Sequence, residues 1–256
     1  MKEEKLYFDN GNGVKLWGIL SHGTGRTQGP LIILCHGFTT QKNNSTNLAL
    51  TEILNRKDIS TFRFDFFGHG ESGGKFEHIT ISEGANDILS AIAFLKGRGY
   101  SKLGLFGSSF GGICSLMAAS KTDDLFLLVL KAPVSDYRAK RRESMGEEGI
   151  KKWKEDGYYI HINSKGERSR LNYSFYEDFD TNIAYDIAKD ITIPTLIVHG
   201  DQDESVPIGQ SRKTASLLPD CQMVIVAGAD HRFTNPKHFQ EMIMAISNFI
   251  LKKFKK

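Results

Sequence analysis

The chain is 256 residues long, enough for one sizeable α/β domain with a small insertion. With 40% hydrophobic residues, 25% charged residues and a net charge of +3, its composition is that of a globular protein, and its basic bias is too slight for a nucleic-acid binder. Its three cysteines, Cys35, Cys114 and Cys221, show no Cys-x-x-Cys spacing, which argues against a disulfide scaffold and fits a reducing compartment.

Met1-Lys2-Glu3-Glu4-Lys5 leads into no apolar signal core, and no stretch approaches the roughly 18 consecutive apolar residues of a membrane span. A cytoplasmic protein without a membrane partner is the expectation. Residues 6–8 and 14–20 flank Asn10-Gly11-Asn12-Gly13, which predicts an antiparallel hairpin. Short continuous apolar runs follow at 31–35, 61–66, 103–106, 126–130, 195–198 and 223–226, as expected of strands buried on both faces. Ile88, Leu89, Ile92 and Leu95 share one helical face. So do Phe239, Met242, Ile243, Ile246, Phe249 and Ile250, after the start signal Asn235-Pro236. The alternation predicts a mostly parallel sheet covered by helices on both sides, with antiparallel strands at its N-terminal edge. Lys252, Lys253, Lys255 and Lys256 read as a helix end whose cations oppose the macrodipole.

Residues 135–180 break the rhythm, with ten Lys/Arg, ten Asp/Glu and no buried-strand run. A structureless loop of that length is out of place in a compact domain. We expect an inserted cap at 134–185 between core segments 1–133 and 186–256, with a small hairpin of 158–163 and 169–175 around Lys165-Gly166. The balanced charges predict a solvated surface with local ion pairs. The aromatics of this stretch, Tyr137, Trp153, Tyr158, Tyr159, Tyr173, Phe175 and Tyr176, suit either a pocket wall or a small core of the cap's own.

Gly107-Ser108-Ser109-Phe110-Gly111 fits Gly-x-Ser-x-Gly, between an apolar run and a helical stretch at 112–119. In a strand–turn–helix elbow the central Ser109 is strained and exposed, and the new helix offers amides and a positive dipole to an oxyanion. A serine nucleophile needs a base. His231 follows the last apolar run, and a parallel sheet gathers such loops at the edge where the elbow lies. A third group must orient the imidazole. Asp201, Asp203 and Glu204 are eligible, and spacing ranks Asp201 and Asp203 nearly equal. The oxyanion hole needs two backbone donors, for which the amides of Phe110 and Phe38 are the candidates. With His231 as base, kcat/KM is expected to rise with pH through the ordinary histidine range of roughly 6–7.

His36-Gly37-Phe38, Arg63-x-Asp65-x-x-Gly68-x-Gly70-x-Ser72, the Ser109 elbow, His199-Gly200-x-x-Asp203-x-x-Val206-Pro207 and Gly228-Ala229-x-His231 together resemble the α/β-hydrolase superfamily. Phe64-Asp65-Phe66-Phe67-Gly68-His69-Gly70-Glu71-Ser72 followed by Gly74-Lys75-Phe76-Glu77 is similar to the cinnamoyl/feruloyl esterase group. The resemblance implies an α/β-hydrolase fold of about eight strands with a cap after the sixth. It implies Asp203 rather than Asp201 as the acid, and a loop-bracing role for Asp65. It further implies cleavage of a small-molecule carboxylic ester of an aromatic or short-chain acyl group through an acyl-enzyme, with no cofactor and no metal. Thioesters, lipid esters and peptides are the alternative substrates, and a non-catalytic binding protein of the same fold is a remoter one. Ser108 departs from the His that many such esterases carry there, which bears on the substrate and not on the triad. Related capped esterases are often dimers, so analogy points to a homodimer.

Overall fold

The computed structural model describes residues 2–24, 28–163 and 166–254. Met1, Lys165, Lys255 and Lys256 lie outside the described residues. The N-terminal hairpin pairs β1 (Glu3–Asp9) with β2 (Lys15–Ser21). Asn10 closes it. Its side-chain oxygen accepts from the Asn12 and Val14 amides, its own amide donates to the Val14 carbonyl, and Gly11 and Gly13 adopt positive φ.

The core continues with β3 (Leu31–Cys35), α1 (Ser45–Asn55), β4 (Ser60–Phe64), α2 (Ile81–Gly97), β5 (Leu103–Ser108), α3 (Phe110–Ala119) and β6 (Leu125–Lys131). Between β6 and β9, where the insertion is expected, lie α4 (Tyr137–Asp156), the hairpin β7 (Tyr158–Ile162) and β8 (Arg168–Asn172), and two single-turn helices, α5 (Ser174–Glu177) and α6 (Ala184–Ile187). The chain then returns through β9 (Thr195–Gly200), α7 (Ile208–Leu217), β10 (Cys221–Val226) and α8 (Pro236–Phe254). The main sheet has eight strands in the order β1-β2-β4-β3-β5-β6-β9-β10. The β1–β2 and β2–β4 pairings are antiparallel and the others parallel, the arrangement of an α/β-hydrolase fold.

Strand β3 shows why the central runs are continuous. Leu31, Ile33 and Cys35 join the core layer of α2 and α3, while Ile32 and Leu34 join that of α1 and α8. Both faces are covered, so every position is apolar. Strand β10 differs from the expectation. At the margin of the sheet its faces are only partly covered, and Ile225 is exposed. Among the described residues, no helix is long and apolar enough to cross a membrane.

The insertion is tied to the core at α2. Thr80 caps α2 by accepting from the Glu83 amide, and Asp178 accepts from the Ile81 and Ser82 amides. Trp153, Phe175 and Phe179 are buried, and the Trp153 indole donates to the Leu171 carbonyl at 3.1 Å. Tyr137, Tyr176 and these three extend the core layer of α2 and α3 rather than forming a separate one, while Tyr159 turns to Trp153 with one edge. The expected second hairpin strand ends early, at Asn172. Phe175 belongs to α5 instead, because its ring is drawn inward against Tyr137 and Phe110.

Two loops at the carboxyl edge of the sheet are held by one buried pair. Asp65 is fully buried, and its Oδ1 accepts from the Lys42 amide at 2.7 Å. Its Oδ2 accepts from the Lys42 ammonium and from the Glu71 amide. The loop after β3 is thereby fastened to the loop after β4. Lys42→Met would leave the Asp65 carboxylate buried without its cation, and is expected to lower the free energy of unfolding by about 3–5 kcal/mol. Urea denaturation measures this as a fall in midpoint.

Candidate active site

Ser109 sits between β5 and α3 at φ 53° and ψ −109°, a conformation disfavoured for a residue with a side chain. Close packing imposes it. A Cβ on Gly111 would lie 2.4 Å from the His36 carbonyl oxygen, and one on Gly107 would lie 2.4 Å from the Gly111 oxygen. Only glycine lets α3 start this near to β3 and to its own strand. The Ser109 amide donates to the Lys131 carbonyl at 3.0 Å, which fixes the elbow to β6 as well.

The same contact brings the loop after β3 beside the serine, where a Cβ on Gly37 would lie 3.6 Å from Ser109 Cβ. Phe110 opens α3, so its amide belongs to the first turn and has no intrahelical acceptor. The rings of Phe38 and Phe110 stand 5.9 Å apart. The fully buried His36 shapes this loop by accepting from the Phe66 amide with Nε2 at 3.1 Å and donating from Nδ1 to the Gly37 carbonyl at 2.8 Å. Burial, with the His69 ring beside it, holds its pKa down to about 3, so it stays uncharged.

His231 reaches the serine from the loop after β10. The Ser109 hydroxyl lies 3.1 Å from Nε2, and Nδ1 lies 2.7 Å from Oδ2 of Asp203. Asp203, not Asp201, is the carboxylate in this chain. Asp201 instead accepts from the Gly228 amide at 2.6 Å and braces the histidine loop, and Glu204 Oε2 faces the His231 amide at 3.4 Å. Asp203 Oδ1 accepts from the Ser205 and Val206 amides at 2.8 and 2.7 Å.

His199 stands in the motif before Asp203, but its spacing alone gives it no role. Its Nε2 lies 2.9 Å from Asp203 Oδ2 and 3.1 Å from the Val206 carbonyl, so this nitrogen carries the proton. Nδ1 then accepts from the Ser211 hydroxyl at 2.7 Å. Asp203 therefore receives four donors. Burial alone would raise its pKa, but the hydrogen bonds from His199 and His231 outweigh burial and hold the carboxyl well below the usual range. The other unassigned residue is Lys131, whose ammonium donates to the His231 carbonyl at 2.9 Å and lies 5.1 Å from the Phe233 ring. Burial brings it down to about 8. A lysine ending an otherwise apolar strand run was the signal available for it.

For His231, burial disfavours the imidazolium, the Asp203 hydrogen bond opposes this, and the Lys131 and Lys140 cations reinforce burial. The balance lies below the ordinary histidine value. The ring is thus a neutral acceptor at neutral pH.

Comparison with known proteins agrees with this architecture. The model of the prolyl oligopeptidase family matches residues 45–256. The structure of Est1E from Butyrivibrio proteoclasticus with ferulic acid bound is similar at a TM-score of 0.86 and 28% identity, covering 98% of this chain and 100% of that one. The mitochondrial palmitoyl-protein thioesterase ABHD10 of Mus musculus is 26% identical over 241 residues, 88% of this chain and 76% of the relative. The 2-(acetamidomethylene)succinate hydrolase of Mesorhizobium japonicum is 28% identical, over 87% of this chain and 88% of the relative.

An NMR titration of the histidine rings is expected to place the His231 midpoint below the ordinary value of about 6.5. Lys131→Met removes a cation that disfavours the imidazolium and should move that midpoint upward. A midpoint above the ordinary value in the parent protein would show that the Asp203 hydrogen bond outweighs burial.

Proposed function

The chain belongs to the prolyl oligopeptidase family of α/β-hydrolases, and from that premise we propose that it is a serine hydrolase that cleaves carboxylic esters or thioesters through an acyl-enzyme on Ser109. The observation that carries the reading is the unbroken chain of contacts from the Ser109 hydroxyl through the His231 ring to the Asp203 carboxylate. His231 Nε2 takes the hydroxyl proton as Oγ attacks the carbonyl carbon. The Phe38 and Phe110 amides hold the oxyanion of the tetrahedral intermediate. The imidazolium then protonates the leaving alcohol or thiol. In the second half, His231 removes a proton from water, which attacks the acyl carbon and regenerates the serine. Asp203 remains ionised throughout and balances the imidazolium charge.

Aromatic surroundings favour a planar or hydrophobic acyl group. Phe38 stacks on Phe175 at 5.6 Å and meets the edges of Phe76 and Phe110 at 5.3 and 5.9 Å. Ferulic acid in the Est1E structure is an acid of that type. The thioesterase relative supports thioesters as the second substrate class, since the same oxyanion site serves both.

Ser109→Ala is expected to abolish turnover of activated esters and thioesters, and labelling by a fluorophosphonate, without altering the fold seen by circular dichroism. Asp203→Asn should cost about 10⁴-fold in kcat by favouring the wrong tautomer of His231. Asp201→Asn, which loosens only the loop, should cost far less, and equal losses would unseat Asp203. Because His231 acts as a neutral base, kcat/KM should be level through neutrality and fall only as pH drops through its depressed pKa. A fall beginning above pH 7 would contradict this.

A further inference from the structure

Three polar side chains of the insertion touch Phe38 or act electrostatically on the triad without belonging to it. They are Lys140 and Arg141 on α4 and His161 on β7. The Arg141 guanidinium lies 5.9 Å from the ring of Phe38, the residue whose amide serves the oxyanion, and 5.5 Å from the ring of Tyr159. The His161 ring packs edge-on against Phe38 at 5.1 Å, with its Nδ1 3.4 Å from the Tyr159 hydroxyl. The Lys140 ammonium is close enough for its charge to act on both His231 and Asp203.

Several neighbouring cations on the same helix are paired. Arg138 pairs with Asp180, Arg142 with Glu147 at 3.3 Å, Lys151 with Glu155 at 3.8 Å and Lys152 with Asp156 at 2.8 Å. Among the described residues, no carboxylate forms an ion pair with Lys140 or Arg141, and the buried Nε of Arg141 has no hydrogen-bond acceptor. The two cations also work against each other. Burial, and then Arg141, brings Lys140 down to about 8, while burial, Arg141 and Lys140 bring His161 down to about 4. Asp203 and Glu143 act on Lys140 but neither pairs with it; half-buried positive charge without a direct partner is costly, and an arriving anion relieves it. A guanidinium fork matches the two oxygens of a carboxylate.

We propose that the substrate cleaved at Ser109 carries a second, free carboxylate, held by Arg141 with Lys140 and His161 beside it. The inference rests on the serine-hydrolase reading and narrows its substrate class to anionic esters or thioesters. The acyl chain or the leaving group carries the carboxylate, and matched substrates tell them apart.

The test compares kcat/KM for umbelliferyl hexanoate with that for umbelliferyl hemi-adipate, and for the hexanoate esters of 3-hydroxybenzamide and 3-hydroxybenzoate. The parent protein is expected to favour the anionic member of one pair by about 10- to 100-fold, the worth of a charge-assisted hydrogen bond. Arg141→Gln should erase that ratio, chiefly through KM, and Lys140→Met should reduce it. Lys151→Gln, on the outward face of α4, should leave it unchanged. Ser109-dependent turnover with no preference in either pair, or a preference that survives in Arg141→Gln, overturns the anion subsite and leaves the hydrolase reading standing. Absence of Ser109-dependent turnover of all four esters overturns the hydrolase reading itself. Calorimetric titration of Ser109→Ala with the hemi-adipate and with the hexanoate ester of 3-hydroxybenzoate, with and without Arg141→Gln, then tests the anion site independently. Equal affinity of the two proteins for both ligands overturns it.

Discussion

The site depends on one backbone contact, the approach of Gly111 at the start of α3 to the carbonyls that end β3. Sheet order makes the contact available, since β3 and β5 are hydrogen-bonded neighbours with Cys35 opposite Gly107. The chain leaving β5 must then turn sharply enough to clear β3, and Ser109 absorbs the turn in a positive φ. A strained residue of this kind persists only where its surroundings over-determine it. Here they do, through the Ser109 amide on Lys131, the Ser109 carbonyl on Gly112, and the glycines on either side. The same approach sets the loop after β3 beside Ser109. The proposed nucleophile and oxyanion donors would therefore come from a single packing contact rather than from separate adjustments.

The acid and base are built by a different route. They come from the loops after β9 and β10, adjacent parallel strands that deliver Asp203 and His231 to the same edge. The turn that positions Asp203 is closed by the carboxylate itself, which accepts from the Ser205 and Val206 amides. With both oxygens engaged, and His199 opposite His231, the carboxylate has little freedom to rotate or to take a proton. A buried anion is costly unless it is fully hydrogen-bonded, and this one is arranged so that the imidazole it serves is only one of four donors.

Much of this was legible in the sequence because the physics involved is local. Continuous apolar runs mark strands covered on both faces, and Asn10-Gly11-Asn12-Gly13 marks the hairpin that puts antiparallel strands at the edge. The Gly107 and Gly111 pair around Ser109 reports a steric demand that no other residue meets. What spacing left open was settled by hydrogen bonding. Asp201 and Asp203 both follow β9, but only the second closes its own turn and faces His231. Helix α4 was not legible because Tyr137, Ile150 and Trp153 are its only buried residues, too few to give a helical stripe, and Gly146 breaks it at φ 65°. His199 was hidden for the opposite reason. A polar residue inside an apolar strand end carries no pattern until its partners are placed.

The balanced charge of the insertion shows where composition misleads. Ten positive and ten negative residues predict mutual neutralisation at the surface, and for the outward face of α4 that is the outcome. Neutrality in the sum does not require neutrality at each point, however. Acidic partners are spent on Arg138, Arg142, Lys151 and Lys152, while Arg141, beside Phe38, and Lys140 have no ion pair among the described residues. Positive potential there has two effects of opposite use. Through Lys140 it adds to burial and Lys131 in disfavouring the His231 imidazolium, and in the proposed mechanism it also opposes the imidazolium that would form once Ser109 had given up its proton. The buried Asp203 carboxylate offsets the second effect, which explains why so many donors are committed to keeping that carboxylate ionised.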